Sequence, residues 1–225
     1  GSRVLVPLLR ALGVRRLDLL MLSHRDSDHV GGAAAVMAAQ DVAALSSSIE
    51  ASHPLRAAAR THRRCEAGQS WQWDGVRFEV LHPKLEDYAR MDAKSNTMSC
   101  VLAVTDAQGQ RLLLTGDLEA EQEARLVREQ PDALKSAVLL VPHHGSKTSS
   151  SPAFLDAVAP QLQQVAAEGV RLEDLRAGLE VLLVDLDDEV GPLEVDEVEV
   201  AVDEHAARVE LGAHAAVADH RPALE

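Results

Sequence analysis

The sequence predicts an α/β fold, and three observations predict it. Apolar runs short enough to be buried strands alternate with segments of helical period along residues 1–160. Between them, residues 70–115 carry the alternation and tight-turn residues of β-hairpins. Three of the short apolar runs end in side chains able to hold a cation, and sites in α/β sheets collect at strand ends.

The elements follow in order. Val4, Leu5, Leu8, Leu9 and Leu12 are spaced for a helix over residues 3–12 that stops at Gly13. Residues 17–22 (LDLLML) read as a buried strand, residues 33–40 as an Ala-rich helix, and residues 42–45 as a short strand. A helix over 54–60 opens on Pro54. Trp71, Trp73, Val76, Phe78 and Val80 alternate around Asp74-Gly75, which predicts a hairpin. The two tryptophans read as sheet packing rather than as a platform for stacking bases. Residues 82–97 form a long polar loop, a kind of segment that often carries function. Residues 99–104 and 111–115 pair as a second hairpin across Asp106 to Gly109. An amphipathic helix over 118–129, a buried strand over 137–141 and a helix over 153–158, opened by Ser151-Pro152, complete the pattern. That order predicts sheets packed between helix layers.

Composition narrows the classes. No run of about 18 apolar residues is present, so the sequence contains no predicted membrane span. No basic stretch followed by an apolar one marks a signal peptide. Gly1-Ser2-Arg3 leads straight towards a helix without an initiator Met, which suggests a piece of a longer chain. Cys65 and Cys100 suggest no disulfide framework, and neither lies in a C-x-x-C zinc pair. The net charge of −14 is uneven: residues 1–160 hold 18 Lys+Arg against 19 Asp+Glu, and residues 161–225 hold 4 against 17. The near-neutral body, with local Arg and Lys, remains compatible with a nucleic-acid partner.

The chemistry concentrates in Ser23-His24-Arg25-Asp26-Ser27-Asp28-His29-Val30-Gly31-Gly32. If the strand's extended backbone continues, alternation sends His24, Asp26 and Asp28 into one pocket and His29 to its other side. Four ligand types within six residues suit one or two divalent ions, and the two carboxylates favour harder ions such as Mn²⁺ or Mg²⁺. Gly31 and Gly32 allow close backbone approach and offer a helix start to a phosphate. The competing reading is a polar turn with two surface histidines. Asp117 follows the apolar run Leu112-Leu113-Leu114-Thr115-Gly116, and His143-His144-Gly145-Ser146 follows Val138 to Val141. Alone, each is also an ordinary turn; three such strand ends in one chain favour a shared site.

Together SHRDSDHVGG, SNTMSCVLAV, LLLTGDL and VPHHGSKTSSSPAFL resemble the metallo-β-lactamase fold, and more narrowly the soluble domain of the ComEC-type DNA-uptake (competence) channel. The resemblance covers residues 1–160 and implies a partial four-layer αβ/βα sandwich. It places His24, Asp26, Asp28, His29, Asp117 and His144 at metal positions, with Asp117 bridging two divalent ions (Mn, Zn or Mg). It places His143, His144 and Ser146 on the loop that meets metal or phosphate. It implies a metal-dependent phosphodiester hydrolase, a nuclease domain, with Asp28 orienting or deprotonating the water and His143 or His144 protonating the leaving oxygen. Its partners would be single-stranded DNA and a channel domain of the same full-length protein. That protein would sit in the bacterial inner membrane, with this soluble domain on the periplasmic side. Rival readings are a stand-alone hydrolase of small phosphate esters and a non-catalytic DNA-binding domain.

Two departures from the family's pattern stand out. Asp26 stands where the superfamily usually has a second His, as in the competence subgroup. The opening Asp-Val-Gly-Gln-Gly strands and the closing Gly-His-Pro segment have no counterpart, so little activity is expected of this piece by itself. Residues 161–225 use only ten residue types, all encodable by codons beginning in G or C, whereas 37 of the first 160 residues fall outside that set. The chance of such a run at independent positions is on the order of 10⁻⁸. The break predicts a frame error or antisense join at about residue 160 in a GC-rich gene; the rival is a natural acidic tail. His205, His214 and His220 are therefore not used as ligands.

Overall fold

The computed structural model describes residues 1–90 and 93–164; the expectations for the tail beyond residue 164 lie outside the described residues. The chain opens with α1 (Leu5–Ala11), which ends where Gly13 takes a φ of 71°. β1 (Arg16–Leu17), β2 (Leu20–Leu22), α2 (Ser27–Val30), α3 (Ala33–Ala39), β3 (Asp41–Val42) and β4 (Leu45–Ser47) follow. Then come α4 (Pro54–Ala58) and β5 (His62–Arg64). The expected strand over 17–22 is thus two strands. β1 pairs with β3 and β2 with β4, so both segments bend together at the same level. The break falls at Asp18 and Leu19, between the two ladders, where exposed Asp18 is the one polar residue in an otherwise apolar run.

The second half builds β6 (Ser70–Trp73), β7 (Val76–His82), β8 (Val101–Thr105), β9 (Arg111–Leu114), α5 (Ala120–Glu129), α6 (Pro131–Leu134), β10 (Val138–Leu140), α7 (Pro152–Val158) and β11 (Leu162–Gln164). The first hairpin turns at Asp74 and Gly75 with φ of 48° and 85°, the paired left-handed residues of a type I′ turn. Trp71 stacks on Phe78 at 5.1 Å across that hairpin, which agrees with sheet packing. β11 carries the sheet past residue 160, the boundary expected from composition.

Six strands form one sheet in the order β11-β10-β9-β8-β7-β6; β2, β4 and β5 form a second, parallel sheet. The alternation along β8 explains the layering. Val101 and Ala103 point to a core with Leu113, Leu118, Leu126, Leu139 and Phe154, under α5, α6 and α7. Leu102 and Val104 point the other way, to Cys65, Val80, Met21 and Leu114 between the sheets. A third core of Leu22, Ala33, Leu45, Ile49 and Leu55 seats α3 and α4 on the small sheet. Helix, sheet, sheet, helix is the αβ/βα arrangement expected.

The cysteines correct an expectation. Cys65 and Cys100 are joined as a disulfide, with Cα atoms 6.1 Å apart, in the core between the sheets. The segment after β5 and the start of β8 meet only through the tertiary fold, 35 residues apart, so spacing carried no sign of it.

Candidate metal centre

Three strand ends converge at one edge of the two sheets. After β2, the backbone stays extended through Asp26 (φ −67°, ψ 151°) and then closes one helical turn, α2. That turn overturns the expected alternation: Asp28 and His29 both face the site. Asp28 Oδ2 lies 3.4 Å from His29 Nε2, and His29 Nε2 lies 3.2 Å from Asp117 Oδ1. After β9, Gly116 takes a φ of 53° and turns Asp117 inwards. After β10, His143 and His144 adopt φ of 49° and 51°, followed by Gly145 at 76°. Left-handed backbone at two consecutive non-Gly residues costs about 1–3 kcal/mol each. Here it brings both imidazoles to Asp117.

The two oxygens of Asp117 face two donor sets. Oδ2 lies 3.7 Å from His24 Nε2 and 3.9 Å from His143 Nε2, and Asp26 Oδ2 lies 3.4 Å from the same His24 nitrogen. Oδ1 faces His29 at 3.2 Å and His144 at 3.6 Å, with Asp28 Oδ2 3.5 Å from His144. Among the described residues, ligand atoms of Asp28, His29, Asp117 and His144 all lie within 4.8 Å of one another.

A divalent cation fits this set. His24 is 1 % exposed, and its Nε2 has no hydrogen-bond partner although it points at two carboxylates. Buried polar atoms are ordinarily satisfied. Burial, with His29 beside it, pulls the His24 pKa down to about 4 against the raising effect of Asp117, Asp26 and Asp28, so the ring is a neutral ligand at pH 7. Burial raises the Asp117 carboxyl, but a hydrogen bond from His29 and the nearby imidazoles outweigh it, and its pKa is lowered. Both groups stand in the protonation state that metal binding requires.

The supports were not read from the sequence. Ser23 Oγ lies 3.0 Å from the Nδ1 of both His24 and His29. Ser99 Oγ accepts the Asp117 amide at 3.0 Å and lies 3.4 Å from His24 Nδ1. Such partners fix ring orientation and tautomer. His143 is held apart from the four-residue cluster: its Nδ1 lies 2.9 Å from Thr148 Oγ1, and Asn96 Nδ2 donates to its Nε2 at 3.3 Å. A cavity of about 240 Å³ adjoins Asp28, His29, Asp117 and His144, floored by Met21, Leu102, Leu114 and Leu140. Gly31, Gly32 and Ser146 do not line it. Gly31 is exposed, Gly32 is buried against Gly1, and Ser146 Oγ turns to Thr148 at 3.1 Å.

The profile of the Metallo-beta-lactamase superfamily matches residues 2–162. Competence protein ComA of Neisseria gonorrhoeae is 47 % identical over 165 residues, 73 % of this chain and 22 % of that protein. Recombination protein 2 of Haemophilus influenzae is 35 % identical over 165 residues, 72 % of this chain and 19 % of that protein. ComE operon protein 3 of Bacillus subtilis is 34 % identical over 176 residues, 74 % and 22 % respectively. The chain spans about a fifth of the length of these relatives. With the αβ/βα layers, a His- and Asp-lined strand-end site and a profile match over most of its length, the chain belongs to the metallo-beta-lactamase superfamily.

Proposed function

We propose that this is a metal-dependent phosphodiester hydrolase domain acting on single-stranded DNA during DNA uptake, within a longer protein anchored in the bacterial inner membrane with this domain on the periplasmic side. The observation that carries the chemistry is the Asp117 carboxylate, whose two oxygens face two separate donor sets. His24, Asp26 and Asp117 would hold one divalent ion; Asp28, His29, Asp117 and His144 would hold the second. When bound, such a pair polarises phosphoryl oxygens and lowers the pKa of a shared water. The name of one relative, Competence protein ComA, supports the DNA-uptake reading, and the large share of that protein outside the match leaves room for a channel domain in the same polypeptide.

The side chains divide the remaining work. Asp28, 21 % exposed, reaches the cavity and orients or deprotonates the attacking water. His143, with its Nε2 3.9 Å from Asp117 Oδ2 and beside Thr148 and Asn96, gives a proton to the leaving oxygen. His144 lies within the four-residue cluster, so of the two expected proton donors His143 is the one assigned.

In the full-length protein, Asp28→Ala should reduce Mn²⁺-dependent cleavage of a labelled single-stranded oligonucleotide by at least about 10²-fold, the usual worth of a positioned acid or base. Wild-type turnover in that variant contradicts the scheme.

A further inference from the structure

We propose that a cationic cleft beside the metal centre binds the backbone of the single-stranded DNA substrate, seating the phosphates next to the one that is cleaved. This rests on the phosphodiester reading above and assigns residues to holding the strand. The cleft has a volume of about 350 Å³ and is lined by Arg25, Arg56, Arg64 and Arg90, with the hydroxyls of Ser48 and Ser95. Among the described residues, none of these four guanidiniums forms an ion pair with a carboxylate, whereas Arg16, Arg60, Arg77, Arg111, Arg125 and Arg128 all do. Of the two carboxylates on the wall, Asp87 is engaged by Arg125 at 2.6 Å, and exposed Glu50 forms no ion pair with any of the four.

The arginines are set rather than scattered. The Arg64 guanidinium carbon lies over the Tyr88 ring, 4.7 Å from its centroid, a cation–π contact that helps to position the group. Arg56 Nη1 is tied to the Ile49 carbonyl at 3.4 Å. His62, on the same wall and 2.9 Å from Ser47 Oγ, has its pKa lowered by burial and then by the charges of Arg56 and Arg64. Guanidinium forks match phosphate oxygens bidentately.

Arg25 connects the cleft to the metal centre. It sits between His24, which faces Asp117, and Asp26, whose carboxylate faces His24, yet it lines the cleft. A ligand lying across both must carry a negative charge at the metals and again one short step along. A phosphodiester chain has that repeat. An acidic polypeptide could satisfy the arginines but offers no phosphoryl group to the cavity.

Fluorescence anisotropy of a labelled oligodeoxythymidylate in chelator, where cleavage is suppressed, reads the cleft separately from the metals. The double variant Arg25→Ala/Arg64→Ala should weaken binding at least about tenfold and flatten the slope of log Kd against log salt by about 1.4, two contacts at about 0.7 each. Its metal content should match that of the wild type, which separates failure here from failure of the hydrolase reading. Unchanged affinity and slope in the variant, no binding by the wild type, or equal binding of polyglutamate would each overturn the assignment.

Discussion

Replacing Asp117 by Asn is expected to bring bound divalent metal below one ion per chain and, in the full-length protein, to slow phosphodiester cleavage by at least about 10³-fold. Asn keeps the shape of the side chain but removes the charge that both donor sets share. Oδ1 faces His29 and His144, and Oδ2 faces His24 and His143. An amide nitrogen in place of one oxygen would point hydrogens where a ligand lone pair is needed. The several kcal/mol that metals supply to charge in the transition state correspond to about 10³-fold or more at about 1.4 kcal/mol per decade. Elemental analysis checks the first half and an oligonucleotide assay the second. Full metal loading in Asp117→Asn sinks the bridging role.

Gly116→Ala should be the most damaging small substitution near the site, lowering stability by about 2–5 kcal/mol. Gly116 has a φ of 53°, where a side chain costs about 1–2 kcal/mol. An added Cβ would also stand 2.9 Å from Ser23 Cβ and 3.1 Å from Ser99 Cβ, and overpacking of that kind costs about 1–3 kcal/mol. The atoms it displaces belong to the serines that orient His24, His29 and the Asp117 amide. Metal affinity should fall about 10- to 100-fold as well, the usual effect of losing such supports. Gly109→Ala is the control: its φ is 82°, but nothing lies within 4 Å of the added atom. It should show the backbone cost alone and wild-type metal binding. Equal melting temperatures for the two variants would remove the packing argument.

Much of the site was legible because its ligands sit in short local motifs at the ends of apolar runs. Both hairpins and the helices after Pro54 and Pro152 were readable for the same local reason. What the sequence hid was tertiary. Alternation predicted His29 on the far side, but α2 interrupts the extended backbone after Asp26. Ser99 and Asn96 lie in SNTMSCVLAV, whose resemblance to the family pointed to the segment without assigning either a role, and only β8 packing beside β9 brings Ser99 to the Asp117 amide. The Cys65–Cys100 bond needs both sheets in place before the sulfurs meet. Gly31 and Gly32 looked like a phosphate cradle, yet Gly31 closes α2 and Gly32 caps α3, and neither lines the cavity.

The most direct measurement is anomalous diffraction from crystals of this chain soaked in Mn²⁺. Two peaks flanking the Asp117 carboxylate, one beside each of its oxygens, are expected. One should be shared with His24 and Asp26, the other with Asp28, His29 and His144. A map without density between these side chains, or with manganese bound only elsewhere on the surface, would contradict the idea that the three strand ends form a metal centre.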